Sequence, residues 1–275
     1  MSDNVETWSG KSRTDENFPV GSALISRRLR PHVHAYYAFA RNADDIADSP
    51  DLSASDKVWR LDVMQDVLLG TRDTGSPSAL SLRASLAETG VDPRHSTDLL
   101  IAFRQDATKL RYGSWDELLG YCRHSAMPVG RHVLCLHGES DATYPSSDAL
   151  CASLQVLNHL QDIQKDFSQL DRCYLPTDLM DRCGSGLHDI AHPAASPGMR
   201  RVIDALLDAC DGLNRTARAL PATVRDRRLR LETAVIVGLA ERLAARLRRH
   251  DPLAARVKLS RPDAMGALLA ALRHW

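Results

Sequence analysis

Apolar residues recur along this chain at the three- and four-residue spacing of one helix face, and the alternating pattern of a strand is almost absent. Proline, glycine and Ser or Asp residues separate the periodic segments, as expected where helices begin and end. Helices are predicted over residues 31–49, 55–69, 79–89, 93–110, 114–127, 130–136, 147–167, 199–220, 223–250 and 262–275. The predicted fold class is therefore all-α, a single large bundle of about 9–11 helices.

Local signals set the limits of these elements. Pro31 suits the first turn of a helix, and Ser114 is placed to cap another. Residues 1–17 are polar and acidic and are predicted to form a flexible N-terminal tail. Residues 18–275 are predicted to form a single helical domain, in which 182–197 is the longest irregular stretch.

Composition excludes several classes of protein. Lysine plus arginine and aspartate plus glutamate each number 35, so the basic excess of a nucleic-acid binder is absent. The six cysteines include no C-x-x-C pair, which favours reduced thiols over a zinc site or a disulfide framework. There is no apolar signal segment and no run near the ~20 residues of a spanning helix. A cytoplasmic protein that meets a membrane at most on its surface is expected.

The C-terminal third of the chain is rich in alanine, leucine and arginine. Its arginines are predicted to form a solvated face, with contact to anionic lipid as the alternative.

Two short acidic groups suggest the chemistry. Asp44, Asp45 and Asp48 fall within one predicted helix, and Asp162 and Asp166 fall within another. Residues four apart share a helix face, so each group places carboxylates together, where they repel one another unless a cation neutralises them. Mg²⁺ prefers such oxygen ligands and shares its shell with substrate phosphates. Two such faces turned toward each other across a bundle would hold a divalent cation and a diphosphate.

A single D-D-x-x-D group is most often a solvated acidic face, and the context argues against that interpretation here. Arg41 lies one turn before Asp44, and Asn158 and Gln161 lie near the second acidic group on an otherwise apolar helix. Such a polar stripe favours an interior cavity. A G-x-S-x-G elbow, a Gly-rich phosphate loop and a Rossmann fingerprint are all absent, which disfavours hydrolase and nucleotide-binding functions.

Several motifs in order resemble the squalene/phytoene synthase family over roughly residues 15–260. They are YAFARNADDIAD at 37–48, YCR at 121–123, QVLNHLQDIQKD at 155–166 and RCYLP at 172–176. The resemblance implies the isoprenoid synthase fold, in which the two acidic helices face each other across a central cavity. Further segments are similar to the bacterial members that make hydroxysqualene in the hopanoid pathway: ENFPV at 16–20, FRQD at 103–106 and SAMPVGR at 125–131.

The resemblance implies that presqualene diphosphate and water become hydroxysqualene and diphosphate, with Mg²⁺ and without NADPH or flavin. Gln161 is the most telling residue, because members that join two prenyl diphosphates usually have arginine there, and arginine clamps phosphate as glutamine cannot. The implied metal ligands are Asp44, Asp45, Asp48, Asn158, Asp162 and Asp166. The implied substrate-binding residues are Phe18, Phe39, Arg41, Phe103 and Arg172. The implied catalytic residues, which line the cavity or orient the water, are Tyr37, Asp106, Tyr121, Gln155, Gln161 and Tyr174.

Two alternatives stay open. One is another reaction of the same fold, the head-to-head condensation of two prenyl diphosphates to presqualene diphosphate, squalene or phytoene. The other is a non-catalytic scaffold or assembly protein that kept the fold, although such a protein would be free to lose its acidic groups. The expected partner is an isoprenoid diphosphate and not a nucleic acid. Peripheral contact with a membrane and hand-over to other hopanoid-pathway enzymes are compatible with this chemistry.

Overall fold

A computed structural model describes residues 4–6 and 25–274 of the chain. Over these residues the chain is all-α, as predicted: it has no strand, and one isolated bridge joins Arg111 to Cys173. In chain order the α-helices are α1 Arg30–Asp48, α2 Ala54–Leu69, α3 Pro77–Thr89, α4 Arg94–Asp106, α5 Trp115–Ser125, α6 Met127–Leu136, α7 Tyr144–Leu170, α8 Thr177–Arg182, α9 Leu187–Ile190, α10 Pro197–Ala217, α11 Leu220–Thr223, α12 Arg227–Arg249 and α13 Arg261–Ala271. Two 3₁₀ turns span Asp141–Thr143 and Leu272–His274.

Ten of the helices in the described part have ten or more residues, and they correspond to the ten predicted segments. The short helices α8 and α9 fall outside those segments and α11 overlaps them only at Leu220 and Thr223, because four to six residues are too few for a helical period to show. The predicted helix 93–110 ends early, at Asp106. The chain beyond it has another partner: the carbonyl of Leu110 accepts a hydrogen bond from the Cys173 N–H at 2.9 Å.

The helix ends follow local side-chain chemistry. The predicted cap is confirmed, since Ser114 Oγ accepts from the Glu117 N–H at 3.2 Å. Gly70 and Gly90 end α2 and α3 with φ of 81° and 70°, in the left-handed region where a side chain would be strained.

The described chain divides into two compact units. The first comprises Met1–Thr108 and Pro128–Ser140, and in it α1 packs on α2, α3 and α4. The inner face of α1 contributes Phe39 and Ile46 to a hydrophobic cluster shared by these helices. This burial orients α1 and thereby sets which face carries its acidic group.

Residues 4–6 lie in the segment predicted to be a flexible tail, and in the structure they are held at the start of α3. The Val5 N–H donates to the Gly75 carbonyl at 2.8 Å. The Glu6 carboxylate accepts from Ser76 Oγ at 2.6 Å and from the Ser78 N–H at 2.8 Å. A carboxylate at this position is stabilised by the unpaired N–H groups of the helix N-terminus.

The second unit comprises Lys109–Met127 and Asp141–Trp275. Its longest helix, α7, packs on α5, α9, α10 and α12, and α12 also packs on α10, α11 and α13. No helix in the described residues is long and apolar enough to cross a membrane. The single domain predicted for 18–275 stays a prediction.

Candidate active site

The first acidic group lies at the C-terminal end of α1, where Arg41 binds two of its members. Arg41 Nη1 is 3.0 Å from Asp44 Oδ2, and Nη2 donates to Asp45 Oδ1 at 2.5 Å. Both partners follow Arg41 within about one helical turn, which is the spacing that brings side chains together. The Asp45 side chain is only 3% exposed, against 35% for that of Asp44. Asp44 and the half-buried Asp48 are therefore the carboxylates of this group that a ligand from solvent can reach.

The other predicted residues of the first unit lie at different depths. Tyr37 is half-buried on α1, and Asp106 is buried at the end of α4. Phe39 is fully buried in the hydrophobic cluster, and Phe103 packs against that cluster. Core packing accounts for the burial of both phenylalanines, and their contact with a substrate stays a prediction. Phe18 lies outside the described residues.

The second acidic group is tied to the segment that follows α12. Arg256 Nε is 2.7 Å from Asp162 Oδ1, and Arg256 Nη2 donates to Asp162 Oδ2 at 2.9 Å. One residue earlier on α7, buried Gln161 donates through Nε2 to the Val257 carbonyl at 2.5 Å. Two consecutive residues of α7 thus hold two consecutive residues of the segment 250–260. The motifs of the sequence do not indicate Arg256, because its partner is 94 residues away.

A cavity of about 670 Å³ adjoins this ion pair in the second unit. It is bordered by the C-terminal half of α7, by residues 190–191 and by residues 252–256. The cations Lys165 and Arg256 line it, together with the carboxylates of Asp162 and Asp171. Its volume falls in the range of small-molecule sites.

His159 contacts three of the predicted residues of the second unit. Its ring stacks on that of Tyr174 with centroids 3.6 Å apart, and its Nε2 is 3.1 Å from Gln155 Nε2. Its Nδ1 is 3.8 Å from Asp166 Oδ2. His159 is not among the site residues predicted from the sequence. Gln155 lies four residues before His159 and Asp166 lies seven residues after it, so all three share one face of α7. This spacing can be read from the sequence and indicates His159 as a site residue.

Three tyrosine rings complete this stack. Tyr121 lies 5.4 Å from Tyr112 and 5.4 Å from Tyr174, measured between ring centroids. Backbone pairing positions Tyr112, whose carbonyl accepts from the Thr177 N–H at 2.9 Å. This pairing joins two irregular segments, which have no helical periodicity from which a contact could be predicted. Tyr112 is therefore not among the residues predicted from the sequence.

The donor groups on both acidic helices suit a hard divalent cation, since they are carboxylates and the amide of half-buried Asn158. Over residues 4–6 and 25–274, no group of three or more His, Cys, Asp or Glu side chains is arranged to hold a metal ion. Mg²⁺ keeps several waters and takes phosphate oxygens from its substrate, so it needs few protein ligands and no closed protein cage. Arg172, also predicted, is buried and borders a small cavity of about 10 Å³ with Asp166 and Tyr174.

Known proteins match this chain over most of its length. A family model described as squalene/phytoene synthase matches residues 11–263. A hydroxysqualene synthase of Rhodopseudomonas palustris is 47% identical over 259 residues, which are 94% of this chain and 88% of that protein. A hydroxysqualene synthase of Zymomonas mobilis is 42% identical over 265 residues, 96% of this chain and 89% of that protein. The crystal structure of a squalene synthase from Alicyclobacillus acidocaldarius has a TM-score of 0.76 and 33% identity, and covers 86% of this chain and 90% of its own.

Proposed function

This chain belongs to the squalene/phytoene synthase family, and from that membership we propose that it converts presqualene diphosphate and water to hydroxysqualene and diphosphate. The family and the isoprenoid synthase fold predicted from the motifs are confirmed by the matching family model and the solved relative. The observation that carries the choice of reaction is the set of relatives named hydroxysqualene synthase, 42–47% identical over 90–96% of this chain.

The proposed reaction makes two demands on the protein. It breaks the carbon–oxygen bond to diphosphate, which leaves a cyclopropylcarbinyl cation, and it forms a carbon–oxygen bond to water with loss of a proton to solvent. No electrons are exchanged, so the reaction needs neither NADPH nor flavin. The charge of the departing diphosphate must be neutralised, and the cation needs apolar surroundings with π faces or oxygens nearby.

Mg²⁺, when bound, would supply Lewis-acid neutralisation of the departing diphosphate. Arg41 and Arg256 are the cations next to the acidic groups, and each is paired with an aspartate. A guanidinium paired in this way can exchange its aspartate for phosphate oxygens in charge-assisted hydrogen bonds. Buried Asp45 orients the guanidinium of Arg41. The oxygen donors assigned to the cation are Asp44, Asp48, Asn158, Asp162 and Asp166, with Asp45 beside them.

The aromatic stack of the second unit would serve the carbocation. Tyr121 and Tyr174 are both buried, so their rings present π faces without bringing water with them. The amide of Gln155 can donate to His159 Nε2, which leaves the His159 Nδ1 proton facing Asp166. This chain of contacts holds the imidazole against Tyr174 and fixes the stack. The proposed orientation of the water by Asp106 or Gln155 remains part of the prediction.

The proposal also includes a cytoplasmic location, peripheral contact with a membrane and hand-over to other hopanoid-pathway enzymes. The proposed substrate carries its diphosphate on a long hydrocarbon skeleton and the proposed product is almost entirely hydrocarbon, so the apolar part of each favours lipid over water. A surface suited to that contact is described below.

Product analysis after incubation with presqualene diphosphate in ¹⁸O-labelled water tests the reaction. With Mg²⁺ and without NADPH, we expect hydroxysqualene whose hydroxyl oxygen carries the label. A parallel incubation with farnesyl diphosphate and Mg²⁺ tests the condensing alternative, and its efficient consumption would overturn the proposal. Failure to turn over either diphosphate, with helical content intact by circular dichroism, would favour the scaffold alternative.

A further inference from the structure

The last helix buries its small side chains and exposes its large ones. α13 packs on α12 through Ala267 and Ala271, its two buried residues among those described. The Ala267 Cβ lies 3.3 Å from the place that a Cβ on Gly238 would occupy, so the two helices approach closely there. Large apolar residues normally fill such a contact, and here they lie elsewhere.

Four large apolar residues form a stripe on the outward side of α13 and the turn after it. Met265, Leu268, Leu269 and Leu272 are 57%, 38%, 62% and 52% exposed. Their spacings of three and four place them on one helix face, and this set is called the α13 stripe. No charged residue occurs between Asp263 and Arg273. A contiguous exposed stripe of this kind marks an interaction surface, because leaving it in water costs hydrophobic free energy.

Cationic residues flank the α13 stripe at both ends. Lys258 and Arg261 are exposed before it, and Arg273 is exposed after it. Asp263, the acidic residue within α13, is bound by Arg246 at 2.6 Å. The flanks therefore present positive charge, which complements a negatively charged surface. A symmetric contact with a second copy would instead bring these like-charged flanks together.

A groove of about 390 Å³ lies between α12 and the end of α13, and it meets the stripe at its C-terminal end, where Arg273 follows Leu272. Arg242 and Arg273 line it, and Arg242 is steadied by a hydrogen bond of 3.1 Å to the Gly238 carbonyl. Arg218 and Glu241, also in its lining, bind each other at 2.5 Å. A cationic groove beside an apolar stripe matches the two parts of a phospholipid, its phosphate and its acyl chains.

We propose that the α13 stripe inserts into the interface of a bilayer that contains anionic phospholipid, with Arg242 and Arg273 against lipid phosphate. The contacts and exposure of the α13 stripe do not depend on the proposed function, but the reason for membrane docking rests on it. Docking there would hold the enzyme at the phase in which its apolar substrate and product dissolve.

Co-sedimentation of the full chain with vesicles tests the proposal without any substrate. We expect binding to phosphatidylglycerol/phosphatidylcholine vesicles that weakens at least about tenfold on Leu269→Glu and also weakens in about 1 M salt. Arg273→Glu should weaken it as well. Ile101→Glu is the matched control, because Ile101 on α4 is a 44% exposed apolar residue outside the stripe, and this variant should bind like the wild type.

Equal vesicle binding by wild type and Leu269→Glu would overturn the proposal. So would absence of vesicle binding together with a dimer in solution that Leu269→Glu dissociates, which would assign the stripe to a second copy. Turnover of detergent-dispersed presqualene diphosphate is measured separately. A variant that loses vesicle binding and keeps this turnover supports the docking surface, whereas loss of turnover in the wild type bears on the proposed reaction and leaves the vesicle result standing.

Discussion

Asp162 and Arg256 meet at two points, 2.7 Å between Oδ1 and Nε and 2.9 Å between Oδ2 and Nη2. A carboxylate predicted to bind a divalent cation is thereby neutralised by a cation of the same chain. A metal ion that binds Asp162 must displace this guanidinium or share the carboxylate with it. In the proposed mechanism Arg256 therefore competes with the metal ion before the diphosphate binds, and can bind phosphate afterwards.

Arg256→Ala should separate these two effects. We expect half-maximal activity at a lower Mg²⁺ concentration, because Asp162 is no longer neutralised, and turnover of presqualene diphosphate about ten- to hundredfold slower, because a charge-assisted bond to phosphate is lost. Steady-state rates across a Mg²⁺ titration measure both. Arg248→Ala is the control, since Arg248 pairs with Asp208 and Asp211 at the surface. Wild-type turnover in Arg256→Ala would contradict the assigned role.

Asp162→Ala should lower turnover by at least about a hundredfold, because the departing diphosphate loses a donor to its neutralising cation. Stability should change by less than about 1 kcal/mol, since the orphaned Arg256 side chain is 39% exposed and water can solvate it. Product formation and urea denaturation measure the two quantities. Asp181→Ala, an exposed residue of α8, should leave both unchanged. Normal turnover in Asp162→Ala would rule out the metal-binding assignment.

Gln161 has a structural role that can be separated from its predicted role in choosing the reaction. Gln161→Ala leaves the Val257 carbonyl without this donor, which should lower the free energy of unfolding by about 1–3 kcal/mol. Gln161→Arg keeps a donor for this carbonyl, and it should form hydroxysqualene more slowly than the wild type. Thermal denaturation and product analysis distinguish the two effects. A Gln161→Arg chain with wild-type hydroxysqualene output would remove Gln161 from the specificity argument.

We expect His132 to make the stability of the first unit sensitive to acid. It is 1% exposed and its ring stacks on Tyr36 at 3.7 Å. Burial, helped by the neighbouring His95 and His32, lowers the pKa of His132 from 6.5 to about 3. Below pH 6.5 this histidine is protonated in the unfolded chain but stays neutral in the folded chain. The free energy of unfolding that is present at neutral pH is therefore lost progressively as the pH falls toward 3.

His132→Phe, which keeps a ring against Tyr36, should therefore make the free energy of unfolding fall less steeply between about pH 6.5 and pH 4. Urea denaturation at several pH values in that range measures the slope. His250→Gln, at an exposed position, is the control and should keep the wild-type slope. An unchanged slope in His132→Phe would show that His132 does not cause the acid sensitivity.

Local patterns along the chain determined the helices, the acidic groups and the family. A helix and its cap depend on residues three and four positions apart, so the periodic segments, the Ser114 cap and the pairing of Arg41 with Asp44 all belong to short stretches of sequence. Motifs such as D-D-x-x-D with D-x-x-x-D likewise keep their order whatever the detailed packing.

Contacts between distant segments were decided only by the tertiary structure. Gln161 binds Val257, which lies 96 residues further along the chain. Tyr112 contacts Tyr174 because two irregular segments pair through their backbones. Neither contact produces a repeating pattern in the sequence from which it could be predicted. The α13 stripe makes the same point for burial. Its composition is that of a core helix, but whether an apolar face is covered depends on which surface packs against it, and α12 meets only the small residues.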